Sequence, residues 1–462
     1  MALCIPFSIY YKESINSILL SAGIAMVIGA ILFLSFKNLK SHEVNKRDGY
    51  LIVTFGWLSM SLTGTLPFLL SGTIPEFTNA FFETMSGYTT TGASILTDIE
   101  ALPKGILFWR SLTQWIGGMG IIVLTVAILP ILGIGGMQLF VAEAPGISPD
   151  KLKPRIRETA IRLWLIYVVI TATEMVLLKL GGMSFYDAIN HSLTTMATGG
   201  FSTKNASIAH FTSPFIQYVI IFFMFIAGTN FTMAYFGIHG QVKKIWKNEE
   251  FRYYLLLIMI ASTLIGLSIF YTSNHGIESS IRSSLFSVIS IVSTTGYVSV
   301  DYTTIDPFIT MFFFMLMFVG ASAGSTAGGV KIVRHVVLVK NSLLEFKRLI
   351  HPNAVLPLRF NNKPVTKDIT FNVLAFMIIY IMVFAVGSII MSFLGVDFMT
   401  AVGSVATSIG NIGPGLGSVG PVNNFADIPL GGKWFLSFLM LLGRLELFTV
   451  LILFTPYFWR KH

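Results

Sequence analysis

Ser293-Thr294-Thr295-Gly296-Tyr297 has three counterparts in the chain: Thr89-Thr90-Thr91-Gly92-Ala93, Ala197-Thr198-Gly199-Gly200-Phe201 and Asn411-Ile412-Gly413-Pro414. Each ends a short uncharged run on a glycine, after a long apolar segment. Aligning Gly92, Gly199, Gly296 and Gly413 gives intervals of 107, 97 and 117 residues, the spacing of one large repeated unit. Four such units in one chain can surround one axis. A pore then needs no second subunit.

Composition fixes the class around these loops. The chain is 54% hydrophobic and 11% charged, with mean hydropathy +0.75, whereas soluble domains carry about 25% charged residues. It reads as a membrane protein. Its 462 residues alone would suggest about three soluble domains, but the repeats replace that expectation with four membrane units and an N-terminal extra. The single cysteine, Cys4, excludes a disulfide framework and a cysteine-rich metal site. The opening MALCIPFSIYYKES has neither a basic start before an apolar run nor a small-residue cleavage signal, so no removable signal peptide is expected.

A bilayer crossing takes about 20 helical residues. Apolar segments of that order predict nine crossings, near 15–36, 50–71, 105–132, 160–180, 213–238, 251–272, 306–332, 367–393 and 432–457. Inside each unit a shorter helical stretch (Phe77 to Gly87, Ser184 to Met196, Ser280 to Val292, Asp397 to Ser408) runs straight into a glycine loop and reads as a re-entrant segment. The expected fold is an all-α integral membrane protein: an N-terminal extra helix region over 1–48, then tandem helix, short helix, helix units at 49–150, 151–248, 249–350 and 351–462. Of the 31 lysines and arginines, 23 fall in the linkers around Lys37 to Arg47, Lys151 to Arg162, Lys243 to Arg252 and Lys331 to Lys367, and in the tail with Arg460 and Lys461. The positive-inside rule makes these cytoplasmic and turns the glycine loops outward. Topology thereby accounts for the net charge of +9, and no nucleic-acid partner is needed.

The loops suit a monovalent cation. Such an ion must replace its water with oxygen ligands, and backbone carbonyls do this without the deep binding that carboxylates impose. None of the four loops contains Asp or Glu. Glycine reaches φ > 0 and allows close approach of neighbouring chains. Thr91, Thr198 and Thr295 put a hydroxyl before it, whereas the fourth loop has Ile412 there and an amide on Asn411. The C-terminal ends of the short helices add partial negative charge directed at the axis. The expected filter is thus Thr90, Thr91 and Gly92; Ala197, Thr198 and Gly199; Thr294, Thr295 and Gly296; and Asn411, Ile412 and Gly413. One TTG alone reads as packing or a helix end; four at matching points of four units do not.

TTTGA at Thr89 to Ala93, ATGGF at Ala197 to Phe201, STTGY at Ser293 to Tyr297 and NIGPG at Asn411 to Gly415 resemble the filter loops of the Trk, Ktr and HKT potassium-transporter superfamily. KLKPRIRETA (Lys151 to Ala160), GTNF (Gly228 to Phe231), GASAGSTAGGVK (Gly320 to Lys331) and GRLE (Gly443 to Glu446) are similar to its Trk-type membrane subunits. The resemblance spans essentially the whole chain. It implies a potassium-permeable pore in a bacterial inner membrane, one per protomer of a homodimer, with potassium as transported ion and no tightly bound cofactor. It also implies docking of a cytosolic, TrkA-like ring of nucleotide-binding subunits on the basic linkers, since no GxGxxG nucleotide fold exists in the chain itself. Trk-type members usually carry two helices before the first unit. Here only Ser17 to Phe36 makes a full crossing, and residues 1–16 read as a remnant, so that either the true start lies upstream or that helix is lacking.

Gly320 to Gly329 is a run of ten residues without a bulky side chain, and its four glycines each cost roughly 1 kcal/mol against alanine in a helix interior. A loop below the filter is expected there, with Gly320, Gly324, Ser325, Gly328 and Gly329 occluding the pore when inhibited and moving aside when open. Arg444 lies near mid-membrane, where a cation is costly and functional by default. Its expected partners are the carbonyls of that loop; Glu446, two residues on, faces elsewhere, and Glu174 is the competing buried acid. GGVK at Gly328 to Lys331 lacks the rest of a phosphate loop, and the eight histidines have no metal-ligand spacing, so enzymatic chemistry is not expected. The alternative is an alternating-access carrier coupling potassium to sodium or protons. Carriers typically show inverted repeats and a mid-membrane site, whereas these repeats share one orientation.

Overall fold

The computed structural model describes residues 1–37, 45–123, 152–272 and 276–460. Lys40, His42, Lys151, His275, Lys461, His462, the end of the third expected crossing (124–132) and the boundary at 150/151 lie outside the described residues. The rest is almost entirely helical, in the expected alternation. Units open on Lys46–Gly64 with Leu66–Leu70, Leu152–Leu180, Glu249–Thr272 and Lys367–Phe393, and their short helices are Phe77–Tyr88, Phe185–Met196, Ile277–Val292 and Phe398–Gly410. The closing helices begin at Lys104, Pro214, Pro307 and Leu430.

Local chemistry starts these helices. Ser184 accepts from the Asp187 amide (3.0 Å) and Asp397 from that of Thr400 (3.1 Å), satisfying donors a helix leaves open at its N-terminus. The far ends of the short helices are wholly buried, over Ala80–Tyr88, Asn190–Met196, Phe286–Val292 and Gly403–Gly410. Long apolar helices such as Asn16–Phe36 and Lys367–Phe393 instead leave many large side chains exposed, as a lipid-facing surface should. The N-terminal segment packs against the first unit: Phe7 lies 4.3 Å from the Phe108 ring. The Glu13 carboxylate accepts from the amides of Lys104 (2.5 Å) and Gly105 (2.9 Å), an anion at a helix N-terminus.

The closing helices differ from the expectation of continuous crossings. Among the described residues five helices are long and apolar enough to span, and two further pairs pass only as bent spans. Pro214–Gly228 turns by 111° into Phe231–Ile238, and Leu430–Arg444 by 112° into Phe448–Phe454, so 213–238 and 432–457 are not straight crossings. At the first bend Thr229 is extended and Asn230 caps a new helix by accepting from the Thr232 amide (2.8 Å). At the second, Glu446 takes φ +62° and its carboxylate pairs with Arg334. In the third unit the helix Pro307–Leu316 gives way to an irregular segment, and Ile332–Ile350 leaves it as an amphipathic helix. The glycine-rich run is a loop, as its four glycines predict, so 306–332 is a broken segment rather than one helix.

Candidate functional site

The four short helices end alike, atom for atom. The amides of Thr90, Thr198, Thr294 and Asn411 each bond three residues back, to the carbonyls of Gly87, Thr195, Ile291 and Ser408, although the fourth helix runs one residue further, to Gly410. The next amide bonds five back (Thr91 to Ser86, Gly199 to Thr194, Thr295 to Ser290, Ile412 to Thr407). Thr90, Thr198, Thr294 and Asn411 all lie in the left-handed region, at φ +54°, +53°, +58° and +53°. Two residues later Gly92, Gly200, Gly296 and Gly413 have φ of +83°, +75°, +76° and +101°. This corrects the register of the second loop. Gly200, not Gly199, is the counterpart of Gly92, Gly296 and Gly413; Gly199 stands where Thr91, Thr295 and Ile412 stand, and Ala197 where Thr89 and Ser293 stand. The hydroxyl of Thr198 accordingly matches that of Thr90, not that of Thr91.

These glycines close a ring. A Cβ on Gly92 would meet the Gly199 carbonyl oxygen at 2.2 Å, on Gly200 that of Thr295 at 2.0 Å, on Gly296 that of Ile412 at 1.8 Å, and on Gly413 that of Thr91 at 2.8 Å. Each loop thus abuts the next in chain order and the fourth abuts the first. Only glycine allows the carbonyl of the neighbouring loop so near. Left-handed threonine is a true outlier for a β-branched residue, and three at one level mean that the surroundings hold the loops against their own preference.

Side chains tie the loops together. Tyr297 donates from its hydroxyl to the His191 carbonyl (3.1 Å) and bonds the Thr194 hydroxyl (2.5 Å), joining the third loop to the second short helix. Asn411 Nδ2 donates to Thr91 Oγ1 (3.0 Å), joining the fourth loop to the first. Gln114 Nε2 donates to the Gly199 carbonyl (2.6 Å) while its Oε1 accepts from the Phe201 amide (3.1 Å), clamping the second loop from the first unit.

The glycine-rich segment lies against the same ring. Thr326 Oγ1 donates to the carbonyls of Met196 (3.0 Å) and Ala227 (3.3 Å), and the Gly328 amide donates to Thr294 Oγ1 (2.8 Å). A Cβ on Gly328 would lie 2.7 Å from the Gly410 carbonyl oxygen, so the segment touches the second, third and fourth loops at their helix ends. Glu250 accepts from the Ala323 amide (2.6 Å), Lys331 Nζ donates to the Ala327 carbonyl (2.6 Å), and Gly320 and Gly324 turn with φ of +70° and +74°. Ser325 and Gly329 lie within it, Ser325 bonding back to the Ser322 carbonyl (2.6 Å) and Gly329 turning at φ +67°.

Arg444 is 2% exposed and donates to the carbonyls of Thr326 (2.6 Å) and Gly117 (2.9 Å). It thereby bridges the segment to the first unit's closing helix. Neither acid weighed as a partner engages it: Glu446 pairs with Arg334, and both oxygens of buried Glu174 lack a hydrogen-bond partner among the described residues.

Sequence reasoning missed the threonine strain, the Gln114 clamp and the buried pair Glu83–Arg110 (2.6 Å). The last was accessible by the rule that singled out Arg444, a cation inside an apolar crossing.

The chain matches the family model TrkH, described as a cation transport protein, over residues 15–461. It is 42% identical over 446 residues to the "Trk system potassium uptake protein TrkH" of Escherichia coli K12, covering 95% of this chain and 91% of that one. With the protein of the same name from Halomonas elongata it shares 38% identity over 449 residues, covering 96% and 92%. The crystal structure of the potassium transporter TrkH from Vibrio parahaemolyticus superposes with a TM-score of 0.90 at 36% identity, covering 99% of this chain and 96% of that one. Matched in sequence and in fold across nearly its full length, the chain belongs to the TrkH family of cation transport proteins.

Proposed function

We propose that this protein takes up potassium through a channel-like pore on the axis of the four loops, with the segment Gly320 to Gly329 as gate and Arg444 as its latch. The observation that carries this is the closed ring, in which four equivalent glycines each receive the carbonyl of the next loop. Dehydration of a cation there is offset by peptide oxygens rather than by carboxylates. The relatives' potassium-uptake names support the choice of ion. On this reading the filter residues are Thr90 to Gly92, Thr198 to Gly200 with Ala197 at the helix end, Thr294 to Gly296 and Asn411 to Gly413. The units at 49–150, 151–248, 249–350 and 351–462 are its quarters. The pore sits in the inner membrane of a bacterium with loops outward and basic linkers inward. The protomer pairs as a homodimer and docks a cytosolic nucleotide-binding ring, and the chain itself catalyses no reaction.

Purified protein in liposomes tests the mechanism. Flux along a potassium gradient alone is expected. Strict dependence on a sodium or proton gradient overturns the channel in favour of a coupled carrier, and no potassium flux at all overturns both.

A further inference from the structure

The register established by the ring also aligns the residues behind it. Six positions before the helix-end residues Thr89, Ala197, Ser293 and Gly410 stand Glu83, His191, Ser287 and Ser404. All four are buried, yet their chemistry differs. Ser404 spends its hydroxyl on the Ala401 carbonyl of its own helix (3.1 Å). Glu83 and His191 instead reach out to the chain that leaves each loop.

Glu83 Oε1 accepts from Arg110 Nε (2.6 Å) and Ser94 Oγ (3.0 Å), and Oε2 from the Ile95 amide (2.9 Å), holding the exit of the first loop. Arg110 Nη1 donates to the Ser202 carbonyl (3.0 Å), at the exit of the second loop, and its guanidinium lies 3.5 Å over the Phe201 ring. Nδ1 of His191 faces the Asp187 carbonyl (2.8 Å), which can only accept, so Nδ1 carries the proton. Nε2 therefore accepts from the Ser202 hydroxyl (2.9 Å). One continuous buried network thus spans the exits of two adjacent loops. A charge-assisted pair in a site of low dielectric is stiff and directional.

We propose that Glu83 and Arg110 are positioning residues for ion preference: the pair fixes the spacing between the first and second loops, and so the size of the ring that discriminates potassium from sodium. The proposal rests on the ring being the conduction path. That premise is tested separately by potassium flux through the unaltered protein.

The experiment measures reversal potential in mixed potassium and sodium for Arg110→Lys and Glu83→Gln, with Ser404→Ala as control. Lysine keeps the charge but cannot reach both Glu83 and the Ser202 carbonyl; glutamine keeps the shape and loses the charge. The expected result is a potassium-to-sodium permeability ratio lowered by about tenfold in both, as loss of one charge-assisted hydrogen bond would give, with Ser404→Ala unchanged. A merely structural role would lower the amount of inserted protein and leave the ratio of what remains untouched. An unchanged ratio in either inserted variant overturns the proposal, as does an equal change in Ser404→Ala. If neither variant inserts, the pair serves stability alone and the proposal falls.

Discussion

Replacing Gly296 by alanine puts the ring geometry under direct strain. At φ +76° an L side chain costs about 1–2 kcal/mol before any contact is counted. The added Cβ would lie 1.8 Å from the Ile412 carbonyl oxygen and must stand at least 3.0 Å away, so that oxygen retreats by about 1.2 Å. The ring passes the displacement on, because a Cβ-sized space on Gly413, next to Ile412, is already closed by the Thr91 carbonyl at 2.8 Å. Strain of this size alone corresponds to roughly tenfold in an equilibrium, and movement of a ligating oxygen adds to it. Potassium uptake into liposomes by the purified variant should therefore fall by at least about tenfold while its helix content and thermal midpoint stay near those of the parent. Gly199→Ala is the internal comparison: the three atoms nearest its Cβ belong to the Gln114 carboxamide, at 2.3–2.7 Å, the end of a side chain that can turn away at the loss of its two hydrogen bonds, where a backbone carbonyl cannot. A Gly296→Ala protein that conducts normally, or one no worse than Gly199→Ala, refutes the reasoning.

Three further outcomes follow from the same geometry. Arg444→Ala removes two charge-assisted hydrogen bonds to backbone, worth about 1.5–3 kcal/mol each, and deletion of Gly320 to Gly329 removes the segment they hold. Both should raise potassium flux in liposomes at unchanged protein amount, and flux at or below the parental level in both discounts the gate. Both oxygens of buried Glu174 lack a hydrogen-bond partner among the described residues, and an uncompensated charge there would be costly, so Glu174→Gln should leave thermal stability and flux within error of the parent while Glu174→Lys should not insert; a large loss in Glu174→Gln shows that the carboxylate itself is required. Outside the membrane, the Asn205 side-chain amide and backbone amides hold the Asp98 carboxyl below its ordinary range. A depressed carboxyl stabilises the fold above its unfolded value and ceases to do so as pH falls through the folded one. The stability difference between parent and Asp98→Asn should thus shrink only in the acid range below the usual aspartate value, and a difference that shrinks near neutral pH contradicts this.

The sequence carried much of this architecture because three of the four aligned glycines, Gly92, Gly296 and Gly413, mark equivalent points and the fourth, Gly199, is one residue from its own, and because apolar length separates spanning from short helices. The register of the second loop was not legible. Gly199-Gly200 offers two candidates, and only φ and the carbonyl of Thr295 choose between them. The break in the third unit was legible from its glycines, whereas the bends at Thr229-Asn230 and Glu446-Leu447 use a cap and an ion pair that no composition rule flags. Arg444 was expected to bond loop carbonyls, and it bonds that of Thr326. Its second acceptor, Gly117, is 327 residues away in sequence and depends on how the quarters meet.

The central claim is that potassium passes along the axis where the four loops abut. Anomalous scattering from crystals of the protein grown in rubidium tests it most directly. The account predicts ion density on that axis, within coordinating distance of carbonyl oxygens from all four of Thr91, Gly199, Thr295 and Ile412 or their immediate neighbours. Bound rubidium elsewhere in the molecule, with none on the axis, contradicts it.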